Sequence, residues 1–335
     1  MREAILVTGG AGFIGSHVVV ELAQAGYGPV VLDDYSNSTP AVRTRLEALA
    51  GGPVPCINAD VRDVAALRSA FHDHPIAGVV HCAGLKTISE SEERPLAYYD
   101  VNVGGTLALI EVMGEAGVAT LVYTSSAAVY GERKDGAAGE DTPLAPASVY
   151  GRSVRVVEDF LRDLAHANVN WRIAILRAFN AAGAHASGML GASPRGRPSD
   201  LVTVLARVAA GEGDAPIYGD DWSTPDGTAV RDYVHVQDLA QMHVGALQRL
   251  ATRHGAMTLN AAGGRPQSVR EVLASFERAC GRKLATRALP RRAGDVATIA
   301  GDTSRAAQAL DQRAQRDLDA ICADAWRWQK NGGRY

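Results

Sequence analysis

Ala4-Ile5-Leu6-Val7-Thr8-Gly9-Gly10-Ala11-Gly12-Phe13-Ile14-Gly15 puts an apolar run, a glycine turn and the start of a helix next to one another. The run Ala4–Thr8 is too short for a helix and stops at two glycines, so it reads as a buried strand. Gly9, Gly12 and Gly15 follow at three-residue spacing, and Phe13-Ile14 then Val18-Val19-Val20 begin a helical apolar pattern. In such a unit the first glycine permits the tight turn, the second lets a pyrophosphate approach the backbone, and the third lets helix pack on strand. The helix N-terminus offers that anion free amides and a favourable dipole. The next apolar run, Val30-Val31-Leu32, ends in Asp33. A carboxylate there accepts hydrogen bonds from both hydroxyls of an adenosine ribose and repels a 2′-phosphate, which selects NAD over NADP. Glycine spacing alone is weak in a chain with 35 glycines. The strand before it and the acid after it give the motif its meaning.

Outward from this unit, strand and helix signals alternate. Helices are expected near Val42–Leu49, Val64–His72, Pro95–Ala116 and Tyr150–Ala167, and strands at Cys56–Asn58, Val79–Cys82, Leu121–Ser125 and Trp171–Arg177. The alternation predicts an α/β fold: a Rossmann-like, doubly wound parallel sheet with helices on both faces. Past Arg177 the pattern changes. Ala181–Asp200 reads as irregular, Gly219–Thr228 as a polar loop, and Val234–Leu250 as strand then helix. Asp135–Asp141 reads as a surface loop. The expected organisation is a dinucleotide domain over 1–177, to which the chain returns near 232–258, and a smaller interleaved C-terminal α/β substrate domain over 178–335.

Composition fits an enzyme of ordinary make-up. The 335 residues are 47% hydrophobic and 21% charged, with a net charge of −3, so neither nucleic acid nor a membrane surface is implied as a partner. The cysteines Cys56, Cys82, Cys280 and Cys322 lack metal-ligand or redox spacing. The first strand begins by residue 4 and no apolar run reaches membrane-spanning length, so the expected compartment is the cytoplasm.

Thr124-Ser125-Ser126 ends a strand on the edge where open parallel sheets bind ligands, and Tyr150 begins the next helix. A hydroxyl and a phenol beside a nicotinamide can handle the proton of a substrate alcohol while hydride leaves its carbon. At pH 7 roughly one part in a thousand of free tyrosine is phenolate. A lysine one turn later would lower that pKa and hold the nicotinamide ribose. Val154 does neither, and Arg152 and Arg155 point elsewhere around the helix. Tyr123, Tyr130, His81, Trp326 and Trp328 read as packing residues, Arg291 as a surface residue, and Ser125 as a partner of strand-end backbone.

The chain resembles the UDP-glucose 4-epimerases, a branch of the extended short-chain dehydrogenases/reductases, over nearly its whole length. The likeness is carried by Thr8–His17, Ala83-Gly84-Leu85-Lys86, Tyr98-Tyr99-Asp100, Ser125-Ser126-Ala127-Ala128-Val129-Tyr130-Gly131, Phe179-Asn180 and Gly183-Ala184-His185. Val230-Arg231-Asp232-Tyr233-Val234-His235-Val236 and Arg291-Arg292-Ala293-Gly294-Asp295 complete it. The resemblance implies a tightly held NAD that oxidises C4 of a UDP-hexose and returns the hydride to the opposite face of the 4-keto sugar. Tyr150 is then the base and later the acid, and Ser126 hydrogen-bonds the O4 hydroxyl. The implied cofactor contacts are Gly9, Gly12, Phe13, Ile14, Gly15, Asp33, Asn37, Ser38, Cys82, Ala83, Gly84 and Phe179, with Asp60 and Val61 beside adenine. Lys86 lies near the ribose and phosphates and also touches substrate. On the substrate side, Asn180, Asp200 and Leu201 lie near the diphosphate or sugar. Arg231 and Arg292 bind the diphosphate, and Asp295 holds the uridine ribose. The backbone of Pro216, Ile217 and Tyr218 lines uracil, and Ile299 walls the sugar pocket. A homodimer packed through the helices near Pro95–Ala116 and Tyr150–Ala167 is also implied.

The departures from that family gather at the site. Val154 replaces the lysine, Val101 the first asparagine of a pair of which Asn102 remains, and Asp200 an asparagine. Ala178 and Ile299 each stand where the family has tyrosine. The alternative function is a non-catalytic NAD- or sugar-nucleotide-binding homologue. A dehydratase or decarboxylase is disfavoured, because those relatives carry an acid after the strand-end hydroxyl where this chain has Ala127-Ala128.

Overall fold

The computed structural model describes residues 2–132, 136–196, 198–292 and 294–335. Residue 135 of the predicted polar loop and Ala293 of the Arg291–Asp295 motif lie outside them. In the first half the chain runs β1 (Ala4–Thr8), α1 (Phe13–Gln24), β2 (Gly28–Asp33), α2 (Val42–Ala50), β3 (Cys56–Asn58), α3 (Val64–Asp73) and β4 (Ile76–His81). Then come α4 (Ile88–Glu93), α5 (Pro95–Tyr98), a π-helical turn (Tyr99–Gly104), α6 (Gly105–Glu115), β5 (Thr120–Ser126), α7 (Val149–Ala167) and β6 (Arg172–Ala178). The second half contains β7 (Asn180–Ala182), α8 (Leu201–Ala209), β8 (Ala215–Tyr218), β9 (Val230–His235), α9 (Val236–Leu250) and β10 (Gly255–Ala261). It closes with β11 (Pro266–Ser268), α10 (Val269–Cys280), β12 (Thr286–Leu289), β13 (Thr298–Ile299), α11 (Ser304–Leu310) and α12 (Leu318–Lys330).

Seven strands form one sheet in the order β3-β2-β1-β4-β5-β6-β10, every neighbouring pair parallel. Strands buried on both faces explain the unbroken apolar runs of β1, β2 and β4. One face packs Val18, Val19 and Leu22 of α1 and Leu239, Met242 and Leu250 of α9 against Val7, Val31 and Val122. The other packs Leu67 of α3, Leu109 and Met113 of α6, and Val154, Val157 and Leu161 of α7 against Leu6, Val79 and Ile175. The strand order reverses between β1 and β4, so their carboxyl ends open a crevice where ligands bind in such sheets. A smaller sheet (β11-β9-β13, with β7 also on β9), the pair β12-β8 and helices α8, α10 and α12 build the second region around Leu205, Phe276 and Ile321.

Two expectations are corrected. The single helix over Pro95–Ala116 is broken by the π turn at Tyr99–Gly104. Its apolar pattern continues across the break, which hides it in the sequence. Cys82 lies one residue past β4 rather than ending it.

His17, His81 and His243 are fully buried, and burial pushes their imidazoles down to about 3, 4 and 4. A folded pKa below the unfolded value of about 6.5 means that the unfolded chain binds the extra proton. The resulting stability is complete above pH 6.5 and is lost as pH falls toward 4. Each histidine is expected to remove about 1.4 kcal/mol per pH unit in that window, read as a falling urea midpoint.

Candidate active site

The glycine turn is shaped for close approach. Gly9 sits at φ +68°, and a Cβ there would stand 2.7 Å from the Ala83 amide nitrogen. A Cβ on Gly15 would stand 2.2 Å from the Gly9 carbonyl oxygen. No side chain caps the N-terminus of α1, which begins directly after the glycine turn that follows β1. Asp33 is buried, which raises its carboxyl, while the amides of Tyr35 (2.8 Å) and Ala11 (2.9 Å) and the Ser38 hydroxyl (3.1 Å) pull it back. Oδ1 takes two of these donors and Oδ2 one, so Oδ2 has the freer lone pair for a ribose hydroxyl. Asn37 accepts from the Arg195 amide. Asp60 is held below the ordinary carboxylate range by Arg62, which also pairs with Asp100. Val61 is buried, with its side chain against Gly105. These residues fit a dinucleotide.

Across the crevice, Ser126 ends β5 and Tyr150 lies in the first turn of α7, capped by Ser148, whose Oγ accepts from the Gly151 amide. Ser126 Oγ accepts from the Ala128 amide at 3.2 Å, leaving its own hydrogen free to donate. Burial raises the half-buried Tyr150 phenol above its ordinary value, and the Ser126 hydroxyl draws it partly back. Among the described residues no charged group acts on it. Val154, one turn on, is 3% exposed and packs in the apolar cluster with Ala127 and Val157. Arg152 and Arg155 are exposed, and Arg155 donates to the Leu144 carbonyl, so neither serves as a substitute. Lys86 is exposed and forms no ion pair among the described residues. Cys82 Sγ lies 3.1 Å from Thr124 Oγ1, and burial pushes its thiol up to about 12, which favours the protonated form at neutral pH. Phe179 is buried, its ring against Gly301.

The second region contributes a pocket. Asn180, Asp200, Leu201, Pro216, Tyr218, Arg231, Arg292 and Asp295 converge on it. Arg292 stacks on the Tyr218 ring at 4.5 Å and pairs with Asp295 at 2.9 Å. Burial lowers the Arg231 guanidinium and Asp295 only partly compensates, so an incoming anion would relieve Arg231. Ile217 and Ile299 do not line this pocket. Ile217 is buried, and the half-buried Ile299, paired with Arg231 across β13 and β9, packs on the cluster containing Phe179, on which Tyr150 also packs. Asp200 has a second duty: its Oδ1 accepts from the Thr203 amide at 2.9 Å and caps α8.

A family model of the NAD dependent epimerase/dehydratase family matches residues 5–262. The chain belongs to that family. It is 45% identical over 327 residues to a UDP-glucose 4-epimerase of Yersinia pestis, covering 97% of each chain. The structure of UDP-glucose 4-epimerase from Bifidobacterium longum in complex with NAD+ and UDP superposes with a TM-score of 0.96 at 40% identity, covering 98% of this chain and 99% of that one. A Stenotrophomonas maltophila UDP-glucose 4-epimerase with bound NAD and formylated UDP-arabinopyranose gives 0.96 at 42% identity, covering 99% of each.

Two features of this epimerase-family site escape sequence reasoning. Asn102 accepts from the Leu85 amide at 2.8 Å and donates to the Leu85 carbonyl and to Ser153 Oγ, both at 3.0 Å, fastening the loop after β4 to α7. Ser125 does not serve strand-end backbone, as the sequence suggests; its hydroxyl donates to Glu158 Oε1. Glu158 is fully buried against Arg177, which also donates to the Tyr130 hydroxyl at 2.8 Å. The sequence signal was present in the polar residues at eight-residue spacing from Tyr150 and inside β6, but periodicity alone assigns such positions to apolar residues. Among the described residues no cluster of His, Cys, Asp or Glu could hold a metal.

Proposed function

We infer that the protein is a UDP-glucose/UDP-galactose 4-epimerase using tightly bound NAD. The observation that carries this is the Tyr150–Ser126 pair, set between a dinucleotide cradle and a pocket with two arginines. The full-length likeness to UDP-glucose 4-epimerases supports it. NAD held in this cradle would supply a hydride acceptor for C4 and a donor for its return to the opposite face. Tyr150 takes the O4 proton and later gives it back, with Ser126 donating to the same oxygen. Arg231 and Arg292 hold the diphosphate, Asn180 and the Leu201 amide assist them, and Asp295 meets the uridine ribose beside Tyr218. Pro216 and the backbone of Ile217 line uracil. On the cofactor side Gly12, Phe13, Ile14 and Gly84 border the phosphates, Asp60 and Val61 the adenine, and Lys86 approaches the ribose. Residues 1–177, with the return near 232–258, serve NAD, and 178–335 serve the UDP-sugar.

A homodimer completes the reading. Leu96, Tyr99 and Leu107 on the α5–α6 stretch and Val156 on α7 are exposed apolar side chains on two neighbouring helical stretches, as a second copy requires. Among the described residues no helix is long and apolar enough to cross a membrane. We place the activity in the cytoplasm.

The test is to incubate purified protein with UDP-galactose and follow UDP-glucose, with reduced-nicotinamide absorbance read on the same sample. Acid extraction should release NAD and no NADP, because Asp33 favours a free ribose diol. If the sample gives no product and no reduced nicotinamide, also after adding NAD, the protein is a binding homologue.

Asp200→Asn is expected to tighten UDP-sugar binding. Removing one negative charge within roughly 4 Å of a diphosphate in a watery site lowers repulsion by about 1 kcal/mol. Asparagine caps a helix about as well as aspartate, so α8 should keep its stability. Calorimetry checks the affinity and a melting curve the cap; unchanged affinity would show that the carboxylate faces Thr203 alone.

A further inference from the structure

The π turn at Tyr99–Gly104 interrupts what the apolar pattern marks as one helix. At its end the Gly105 amide points to the carbonyls of both Asp100 and Val101, the mixed pattern of a π-to-α junction. The next carbonyl, that of Asn102, takes the Thr106 hydroxyl at 2.6 Å. A hydroxyl bonded back to the carbonyl four residues earlier competes with the regular ladder and bends the helix.

Thr106 is itself held. His81 Nε2 lies 3.0 Å from Thr106 Oγ1, and His81 Nδ1 lies 2.6 Å from Thr8 Oγ1. The Thr106 hydrogen goes to the Asn102 carbonyl, so Nε2 must donate to Thr106 and Nδ1 must accept from Thr8. One neutral tautomer satisfies both nitrogens. All four residues are buried: Thr8, His81, Thr106 and Asn102. Burial lowers the imidazole to about 4, so the neutral form persists at neutral pH.

The chain continues into the site. From the π turn, the Asn102 carboxamide grips both backbone groups of Leu85 and donates to Ser153 Oγ, which donates to the Tyr150 carbonyl at 2.8 Å. Relaxation of the turn to a regular α-helix shifts its phase by one residue, about 100° of rotation. That rotation would swing the carboxamide away from Leu85. With valine at 154, the link through Asn102 and Ser153 is a polar tie between the loop after β4 and the first turn of the Tyr150 helix.

We propose that His81 and Thr106 are positioning residues: they hold the π turn in the register that lets Asn102 fasten the Gly84–Lys86 loop to the helix of Tyr150. Neither touches substrate. The proposal rests on the epimerase reading for its kinetic consequence and on geometry alone for its structural one.

Two arms test it in the full-length protein. In the first, Thr106→Val removes the hydroxyl at nearly constant shape and should lower kcat with UDP-galactose roughly 10- to 100-fold, as a small misplacement of reacting groups does, with KM within about twofold. Thr106→Ser should restore kcat to within about twofold of wild type, and His81→Leu should reproduce the loss without adding to that of Thr106→Val. An unchanged kcat in Thr106→Val, or equal losses in the valine and serine variants, overturns the proposal. In the second arm, a crystal structure of Thr106→Val should show a regular helix over 99–104 with the Asn102 carboxamide away from Leu85. A preserved π turn there overturns it, and this arm decides even if wild type turns over no UDP-galactose, a result that counts against the epimerase reading alone. Should Thr106→Val not fold, Thr106→Ala is read in both arms by the same criteria.

Discussion

Val154→Lys is expected to raise turnover by something on the order of 10- to 1000-fold. Position 154 lies one turn after Tyr150, so the two side chains share a face of α7. In the present site burial raises the Tyr150 phenol and only a neutral hydroxyl opposes it. A cation there stabilises the phenolate, and each unit of pKa depression is worth about 1.4 kcal/mol. Proton transfer by a positioned group typically contributes roughly 10²–10⁴-fold, which sets the ceiling. The basic limb of the pH–rate profile should move to lower pH. Val154 is buried in an apolar cluster, so the lysine stem must lie along that surface while the ammonium reaches the crevice. The variant should therefore melt below wild type without NAD and recover with it. A wild type that is already fast would mean that Tyr150 is activated by the cofactor alone. A lysine variant that folds, binds NAD and shows no gain would place the limitation at another departure, such as Val101 or Asp200.

Arg177→Met should destabilise the fold by about 3–5 kcal/mol, the usual effect of stranding a buried charge. Arg177 is 2% exposed and Glu158 is fully buried, with Nη2 and Oε2 2.7 Å apart. Burial works against the Glu158 charge, yet the hydrogen bonds and charge of Arg177 hold its carboxyl below the ordinary value. Without Arg177, Glu158 retains Ser125 and the partly exposed Arg162. The Glu140 carbonyl and the Tyr130 hydroxyl lose a donor as well. Urea denaturation measures the loss. Arg177→Met/Glu158→Leu should recover much of it, since apolar residues of similar volume replace buried pairs at little cost. If the double variant is no better than the single, the arginine acts through packing, and the charge reading is wrong. Ser125 adjoins Ser126, so the single variant should also lose activity.

The parallel sheet was legible because β1, β2 and β4 are short buried apolar runs and helices such as α3 and α7 carry a one-sided apolar pattern. The cradle was legible for a different reason. Gly9 and Gly15 have no tolerable alternative at 2.7 and 2.2 Å from neighbouring backbone, so the site's geometry is written in residue type. Asp33 and Val154 could be read by position relative to a strand end and a helical turn. The polar ties could not. Asn102 meets Leu85 and Ser153, 17 and 51 residues away, and Glu158 meets Arg177 across 19. Nothing in local periodicity pairs residues at such separations.

The amino-acid sequence by itself determined the doubly wound sheet, the glycine turn after β1, Ser126 at the end of a strand, and Tyr150 and Val154 one turn apart on one helix. These rest on short-range rules: strand and helix periods, glycine sterics and helix phase. Only the tertiary structure decided that the helix at 95–116 breaks into a π turn, that Asp200 caps α8, and that Ser125 binds a buried carboxylate. Each of these depends on which distant element arrives beside the residue. A buried polar group must take whatever partner packing provides, and that partner is set by the fold as a whole.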